Sequence, residues 1–296
     1  ASYKKASKSK EEGFLDIYIA KVNTKGDVLN PNPFAGTPEF NYHEATPYYS
    51  EELKQVFYIR SNTNGANMAF NEVGKNALAI GTIDNTNTFR YLLKDLSTSF
   101  YYPYYEATTN RLYFAANFKD SYGGTDLYYV QTNNGQIMSQ PINLGPKINT
   151  PANEISPYIH NGNLYYASDI FYGFGGMDIY KTNILADQSF SIPINLGKGI
   201  NSNADDFGFI VKNNTSNELM GYFSSNRAGG KGKDDIYKFN VSDQIGLKTF
   251  TVKGRVISLR NRDGIDKALV KLINDKGEVL REIYTTDEGD YSIELP

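Results

Sequence analysis

The sequence predicts an all-β fold, a β-propeller followed by a small β-sandwich, on three observations. The segment Gly-Gly-Met-Asp-Ile-Tyr-Lys at 175–181 returns as Gly-Gly-Thr-Asp-Leu-Tyr-Tyr at 123–129 and Gly-Lys-Asp-Asp-Ile-Tyr-Lys at 232–238, with a fainter copy, Gly-Phe-Leu-Asp-Ile-Tyr-Ile, at 13–19. Its aspartates Asp126, Asp178 and Asp235 are 52 and 57 residues apart, and Asp16 precedes Asp126 by 110, two periods of the same step. A second landmark, Pro-Ile-Asn-Leu-Gly at 141–145, recurs at 193–197. Each unit also carries a short aromatic and β-branched run before its glycine turn: Gln55-Val-Phe-Tyr-Ile, Arg111-Leu-Tyr-Phe-Ala, Asn163-Leu-Tyr-Tyr-Ala and Met220-Gly-Tyr-Phe-Ser. Short strands separated by Asn, Gly and Pro turns at this period indicate propeller blades, each an antiparallel sheet of about four strands.

Composition agrees and sets limits. A chain of 296 residues with 24 Tyr, 17 Phe and no Trp suits strands whose rings pack between neighbouring sheets. A net charge of −3 gives no electrostatic case for nucleic acid. No apolar run approaches the roughly 20 residues that span a bilayer as a helix. The absence of cysteine excludes disulfides, thiol catalysis and Cys-ligated metal.

In chain order, residues 1–12 are rich in Lys, Ser and Glu and read as a solvated arm. A strand follows over 14–22, and the first repeat shows only this final strand. That truncation, with the absence of an initial Met, leads us to expect an excerpt of a longer protein. Residues 41–96 form the most divergent blade, with Asn-Gly-Ala-Asn-Met at 64–68 in place of the glycine–aspartate turn. Blades then follow at 99–130, 153–182 and 205–239. The ring is expected to close with five blades, six being compatible, and the propeller to occupy residues 1–243. Beyond a linker, residues 244–296 alternate apolar and polar residues around turns at 262–264 and 275–277, as expected of an antiparallel sandwich that stops short of a closed core.

Two sets of motifs resemble known families. Ser-Ser-Asn-Arg-Ala-Gly-Gly at 224–230 followed by Asp-Ile-Tyr at 235–237 resembles TolB-like, WD-repeat-like propellers. Val-Lys-Gly-Arg-Val at 252–256, Ala-Leu-Val at 268–270 and Thr-Asp-Glu-Gly-Asp-Tyr at 286–291 resemble the carboxypeptidase regulatory-like fold. The two in this order are similar to the OmpA-family periplasmic proteins of Bacteroidetes, the PorE-like group of the type IX secretion system. The resemblance implies a non-enzymatic scaffold on the periplasmic side of the outer membrane. It also implies protein partners there, and a peptidoglycan link through a domain outside this chain.

The candidate chemistry is sparse, and no cofactor is implied. Asp16, Asp126, Asp178 and Asp235 recur once per unit, so a structural role, accepting backbone N–H bonds of the glycine turn, outweighs cation binding. Glu44, Glu154 and Asp206 precede apolar strands and are placed near one mouth of the channel, where convergent carboxylates would serve glycoside hydrolysis or hold Ca²⁺. Blade-to-blade hydrogen bonding is the simpler role for them. The run Phe-Tyr-Tyr-Pro-Tyr-Tyr at 100–105 is the most unusual local feature: buried between blades, or, through Tyr102 and Tyr104, a surface for a glycan or peptide.

Other motifs are weaker. His43 and His160 have no nucleophile pattern beside them. The Gly-rich run at 229–233 lacks the full phosphate-loop sequence. Asn-Arg-Asp-Gly-Ile-Asp at 261–266 starts like a calcium loop but lacks its glutamate and helices. Asn-Asn-Thr at 213–215 matches a glycosylation sequon. Two readings follow: the scaffold, and a glycan- or peptide-binding propeller acting as a glycoside hydrolase or sensor.

Overall fold

The computed structural model describes residues 14–34, 42–170, 173–213, 219–241, 250–273, 277 and 279–295. Every named element is a strand. The chain divides into two compact units, 1–244 and 245–296. No helix among the described residues is long and apolar enough to cross a membrane.

The first unit starts with the antiparallel pair β1 (Tyr18–Val22) and β2 (Val28–Pro33). Blade 1 holds β3 (Glu44–Ser50) and β4 (Gln55–Ser61). It continues, after the ribbon β5 (Thr63–Asn64) and β6 (Asn67–Met68), with β7 (Leu78–Asp84) and β8 (Phe89–Leu93) in the order β3-β4-β7-β8. Blade 2 holds β9 (Phe100–Glu106), β10 (Arg111–Ala116) and β11 (Asp126–Asn133), with β12 (Gln136–Ile137) and β13 (Ile142–Asn143) both on β11. Blade 3 runs β14 (Glu154–His160), β15 (Asn163–Ser168), β16 (Asp178–Asn183), β17 (Ile194–Asn195). Among the described residues blade 4 holds three strands, β18 (Asp206–Asn213), β19 (Leu219–Ser225) and β20 (Asp235–Val241).

The fold is therefore the expected all-β propeller arrangement, but the expected five or six blades appear as four blade sheets plus the β1–β2 pair among the described residues. A repeat period fixes the spacing of units and not how many strands each contributes, so it does not set the blade count. The hairpin turns explain the tight register: Asn161 and Gly162 join β14 to β15 at φ 49° and 72°, the left-handed pair that a two-residue turn needs.

Packing is aromatic and lies between blades. Phe57, Ile80, Tyr105, Leu112, Phe114 and Tyr128 form one cluster spanning blades 1 and 2. Leu127, Ile148, Leu164, Tyr166 and Tyr180 form another between blades 2 and 3. Ile17, just before β1, is buried with Tyr58 and Ile83 of blade 1. The turn between β1 and β2 reaches blade 4, where Tyr222 Oη donates to the Gly26 carbonyl (2.6 Å) and Lys238 pairs with Asp27 (2.7 Å). The first and last parts of the propeller are thus joined.

The second unit holds β21 (Phe250–Arg255) paired with β24 (Asp290–Leu295), and β22 (Leu269–Ile273) paired with β23 (Val279–Tyr284). Leu269, Ile273, Val279 and Leu280 remain exposed, so these two sheets cover little of their own apolar surface.

Candidate functional site at the inner strands

Each blade's first strand, β3, β9, β14 or β18, pairs on one side only, with the second strand of its blade. Among the described residues the innermost edge of each sheet therefore pairs with no further strand. β9 and β14 pack as neighbours, as do β14 and β18, and β3 and β9.

These four strands share a defect. The third residue of each, Thr46, Tyr102, Ser156 and Gly208, has φ of 48°, 50°, 56° and 66°, and each strand's register slips there. This is a β-bulge repeated in all four blades. Only Gly208 takes that conformation without strain; for β-branched Thr46 and bulky Tyr102 it is costly. The bulge turns Tyr102 of blade 2 towards Phe207 of blade 4, their ring centroids 6.3 Å apart in an edge-to-face arrangement. Both rings are half-buried. The Ser156 hydroxyl, in a residue only 5% exposed, has no hydrogen-bond partner among the described residues.

Two residues further on, tyrosines link the blades. Tyr104 Oη donates to the Ile159 carbonyl (2.9 Å), and Tyr158 Oη to the Val211 carbonyl (2.6 Å). Tyr48 packs edge-on to Tyr104 with centroids 4.7 Å apart. Burial raises the phenol pKa of Tyr48, Tyr104 and Tyr158 above the usual tyrosine range.

The three carboxylates at the strand starts are buried and committed. Glu44 forms an ion pair with Arg60 (3.3 Å), whose guanidinium also lies over the rings of Tyr42 and Phe89. Asp206 accepts from the Ser202 amide (2.6 Å) and hydroxyl (2.8 Å) and pairs with Arg227 (2.5 Å). Glu154 accepts from the Thr150 amide (3.0 Å) and hydroxyl (2.6 Å) and from the Ser168 hydroxyl (2.7 Å). Its bonds come from neutral donors, and burial, with Asp126 nearby, outweighs them and raises its pKa. Blade 2 has Phe100 at this position.

The repeat aspartates lie elsewhere, at the start of each third strand. Asp126 accepts from the amides of Tyr122 (2.8 Å) and Gly123 (3.4 Å) and from Asn143 (2.8 Å). Asp178 accepts from the Phe174 amide and from Asn195 (2.9 Å), and burial raises its pKa. Asp235 accepts from the amides of Lys231 (2.7 Å) and Gly232 (3.0 Å). Asp16 is exposed just before β1, in reach of His43, whose pKa burial lowers while Asp16 raises it. Among the described residues no group of three or more His, Asp or Glu is arranged to hold a metal ion.

Sequence reasoning missed three features: the bulges, the two arginines that neutralise Glu44 and Asp206, and the partnership of Tyr102 with Phe207. The recurrent Thr-Pro, Tyr-Pro and Ser-Pro at 46–47, 102–103 and 156–157 were the available signal for the bulges, since a proline cannot donate to a ladder.

No family model matches the chain, and no match is found among curated proteins. The chain is similar in structure to an endo-arabinase from Bacteroides thetaiotaomicron at 13% identity, over 72% of this chain and 78% of that one, with a TM-score of 0.40. An endo-1,4-β-xylanase from the same organism shares 13% identity over 84% and 88% of the two chains, TM-score 0.40. An α-L-arabinofuranosidase from Lactobacillus brevis shares 12% over 71% and 78%, TM-score 0.41. These neighbours are glycan-cleaving enzymes and none is an OmpA-family or secretion protein. The PorE-like resemblance, the secretion and scaffold reading drawn from it, and the expectation of a non-enzyme are corrected accordingly. Motifs such as Asp-Ile-Tyr after a glycine turn report how a blade is built, and that requirement is shared by propellers of unrelated activity. At these TM-scores the likeness assigns no activity to this chain.

Proposed function

We propose that the propeller binds a glycan where Tyr102 and Phe207 meet, as a carbohydrate-directed and hydrolytic module. The observation that carries this reading is the strained Tyr102, held at φ 50° so that its half-buried ring meets Phe207 from a blade two positions away. Backbone strain of this kind is supported at ligand sites by the surrounding fold. Aromatic rings offer apolar faces for the C–H faces of sugars. The inner edges of β3, β9, β14 and β18 carry no further strand among the described residues and, where the Tyr104 and Tyr158 hydroxyls do not occupy them, offer backbone groups for sugar hydroxyls; the Ser156 hydroxyl is a further polar group at this level.

For hydrolysis, Glu154 is the carboxyl suited to donate a proton. It has no arginine partner of the kind seen at Glu44 and Asp206, and its pKa is raised. Glu154 is 0% exposed, so proton donation requires its contacts with Thr150 and Ser168 to open first. Binding of neutral xylo-, arabino- and gluco-oligosaccharides, measured by calorimetry beside a reducing-sugar assay, tests both halves. Binding lost in Tyr102→Ala supports the site, and sugar release lost in Glu154→Gln with binding retained supports the donor. A panel with neither binding nor release overturns the reading.

A further inference from the structure

Blades 2 and 3 are finished by the same device. After β11 the connector at 141–149 folds back. Asn143 donates to the Asp126 carboxylate (2.8 Å), and the Asn149 side chain takes both backbone groups of Leu127, accepting from its N–H (2.8 Å) and donating to its carbonyl (2.9 Å). After β16 the connector at 193–201 repeats each contact: Asn195 to Asp178 (2.9 Å), and Asn201 to the Ile179 N–H (2.8 Å) and carbonyl (2.9 Å). Asn149 also donates to Asn143 (2.7 Å) and Asn201 to Asn195 (2.8 Å), so each connector is internally braced. Leu127 and Ile179 are consequently fully buried.

Among the described residues, blade 4 has the acceptor half of this device without the connector. Ile236 follows Asp235 as Leu127 follows Asp126, and its pairing with Ser224 matches that of Leu127 with Ala115 and Ile179 with Ala167. The same register turns its N–H and carbonyl to the outer edge of β20. Ile236 is 73% exposed, whereas its two counterparts are 0% exposed. Among the described residues, nothing takes the part of Asn149 or Asn201 here, and the hydrogen bonds to the Asp235 carboxylate come from backbone amides alone.

The geometry points to the outer edge of β20 as an acceptor for a connector segment presented by a separate polypeptide, of the pattern Ile-Asn-Leu-Gly-x-x-Ile-Asn. Its first Asn would reach the Asp235 carboxylate, its second would clamp Ile236, and its apolar residues would cover the Ile236 side chain. This is strand addition with side-chain specificity. A second copy of this chain cannot supply the segment without opening a blade, because both of its connectors already serve Leu127 and Ile179.

The test uses the full chain and a synthetic peptide of residues 139–152, Ser-Gln-Pro-Ile-Asn-Leu-Gly-Pro-Lys-Ile-Asn-Thr-Pro-Ala. Fluorescence anisotropy is expected to show saturable one-to-one binding. Binding should weaken by about tenfold or more when the peptide's second Asn is Ala, and similarly in the Ile236→Lys protein. The exposure of Ile236 keeps that variant folded, which unfolding by denaturant checks. Hydrogen exchange at the Ile236 amide should slow on binding. The proposal is overturned by no saturable binding, by equal binding of the Asn→Ala peptide, or by self-association of the chain that protects residues 235–241 without peptide.

Discussion

Asn149 holds the backbone of Leu127 from both sides, its carboxamide accepting from the N–H at 2.8 Å and donating to the carbonyl at 2.9 Å while both residues are buried. Fifty-two residues later Asn201 does the same for Ile179. The blade connector is thus fixed by one side chain whose donor and acceptor are both used. Asn149→Ala leaves a buried amide and a buried carbonyl without that partner, an expected loss of about 2–4 kcal/mol. Urea unfolding should show a lower midpoint with an unchanged slope.

Glu44 and Arg60 form a buried ion pair at 3.3 Å, and removing one member takes a buried counter-charge from the other. Arg60→Ala is expected to cost about 3–5 kcal/mol. The double variant Glu44→Gln with Arg60→Met should recover a large part of this, and a double-mutant cycle over the two sites measures the recovery.

Glu154 is buried with its pKa raised above the ordinary glutamate value. The protonated form is therefore favoured in the folded state. Its contribution to stability is fully present below the unfolded-state pKa and is lost as pH rises through the higher folded-state value. Glu154→Gln removes this titration and keeps one acceptor oxygen for the Thr150 and Ser168 hydroxyls, while the Thr150 N–H loses its acceptor. The variant should lose less stability than the parent as pH rises through that window, and parallel stability-versus-pH curves would refute the assignment.

Thr46 sits at φ 48° in the bulge of β3, and its hydroxyl is buried without a hydrogen bond. Thr46→Asn places a residue that tolerates the left-handed region there. A gain of about 0.5–1.5 kcal/mol in unfolding free energy is expected.

Much of the fold was legible because a repeat is a periodic constraint. Asp126, Asp178 and Asp235 open third strands, and Asn161-Gly162 and Asn134-Gly135 make tight turns, because few residues adopt those local conformations. The blade count was not legible, since a period measures spacing rather than how many strands a unit supplies. The site was legible in residue type and not in arrangement. Tyr102 stood out as part of an aromatic run, but its meeting with Phe207 depends on a bulge and on a blade 105 residues away. Arg60 and Arg227 were equally invisible as partners of Glu44 and Asp206, being fixed by the register of neighbouring strands rather than by a local motif.

The proposed glycan site lies against Tyr102 and Phe207. Isothermal titration of the full chain with a panel of neutral xylo-, arabino- and gluco-oligosaccharides, repeated on Tyr102→Ala and Phe207→Ala, addresses it most directly. At least one oligosaccharide is expected to bind, each substitution to weaken binding about tenfold or more, and Ile236→Lys to leave it unchanged. A panel with no binding, or binding indifferent to both ring substitutions, would contradict it.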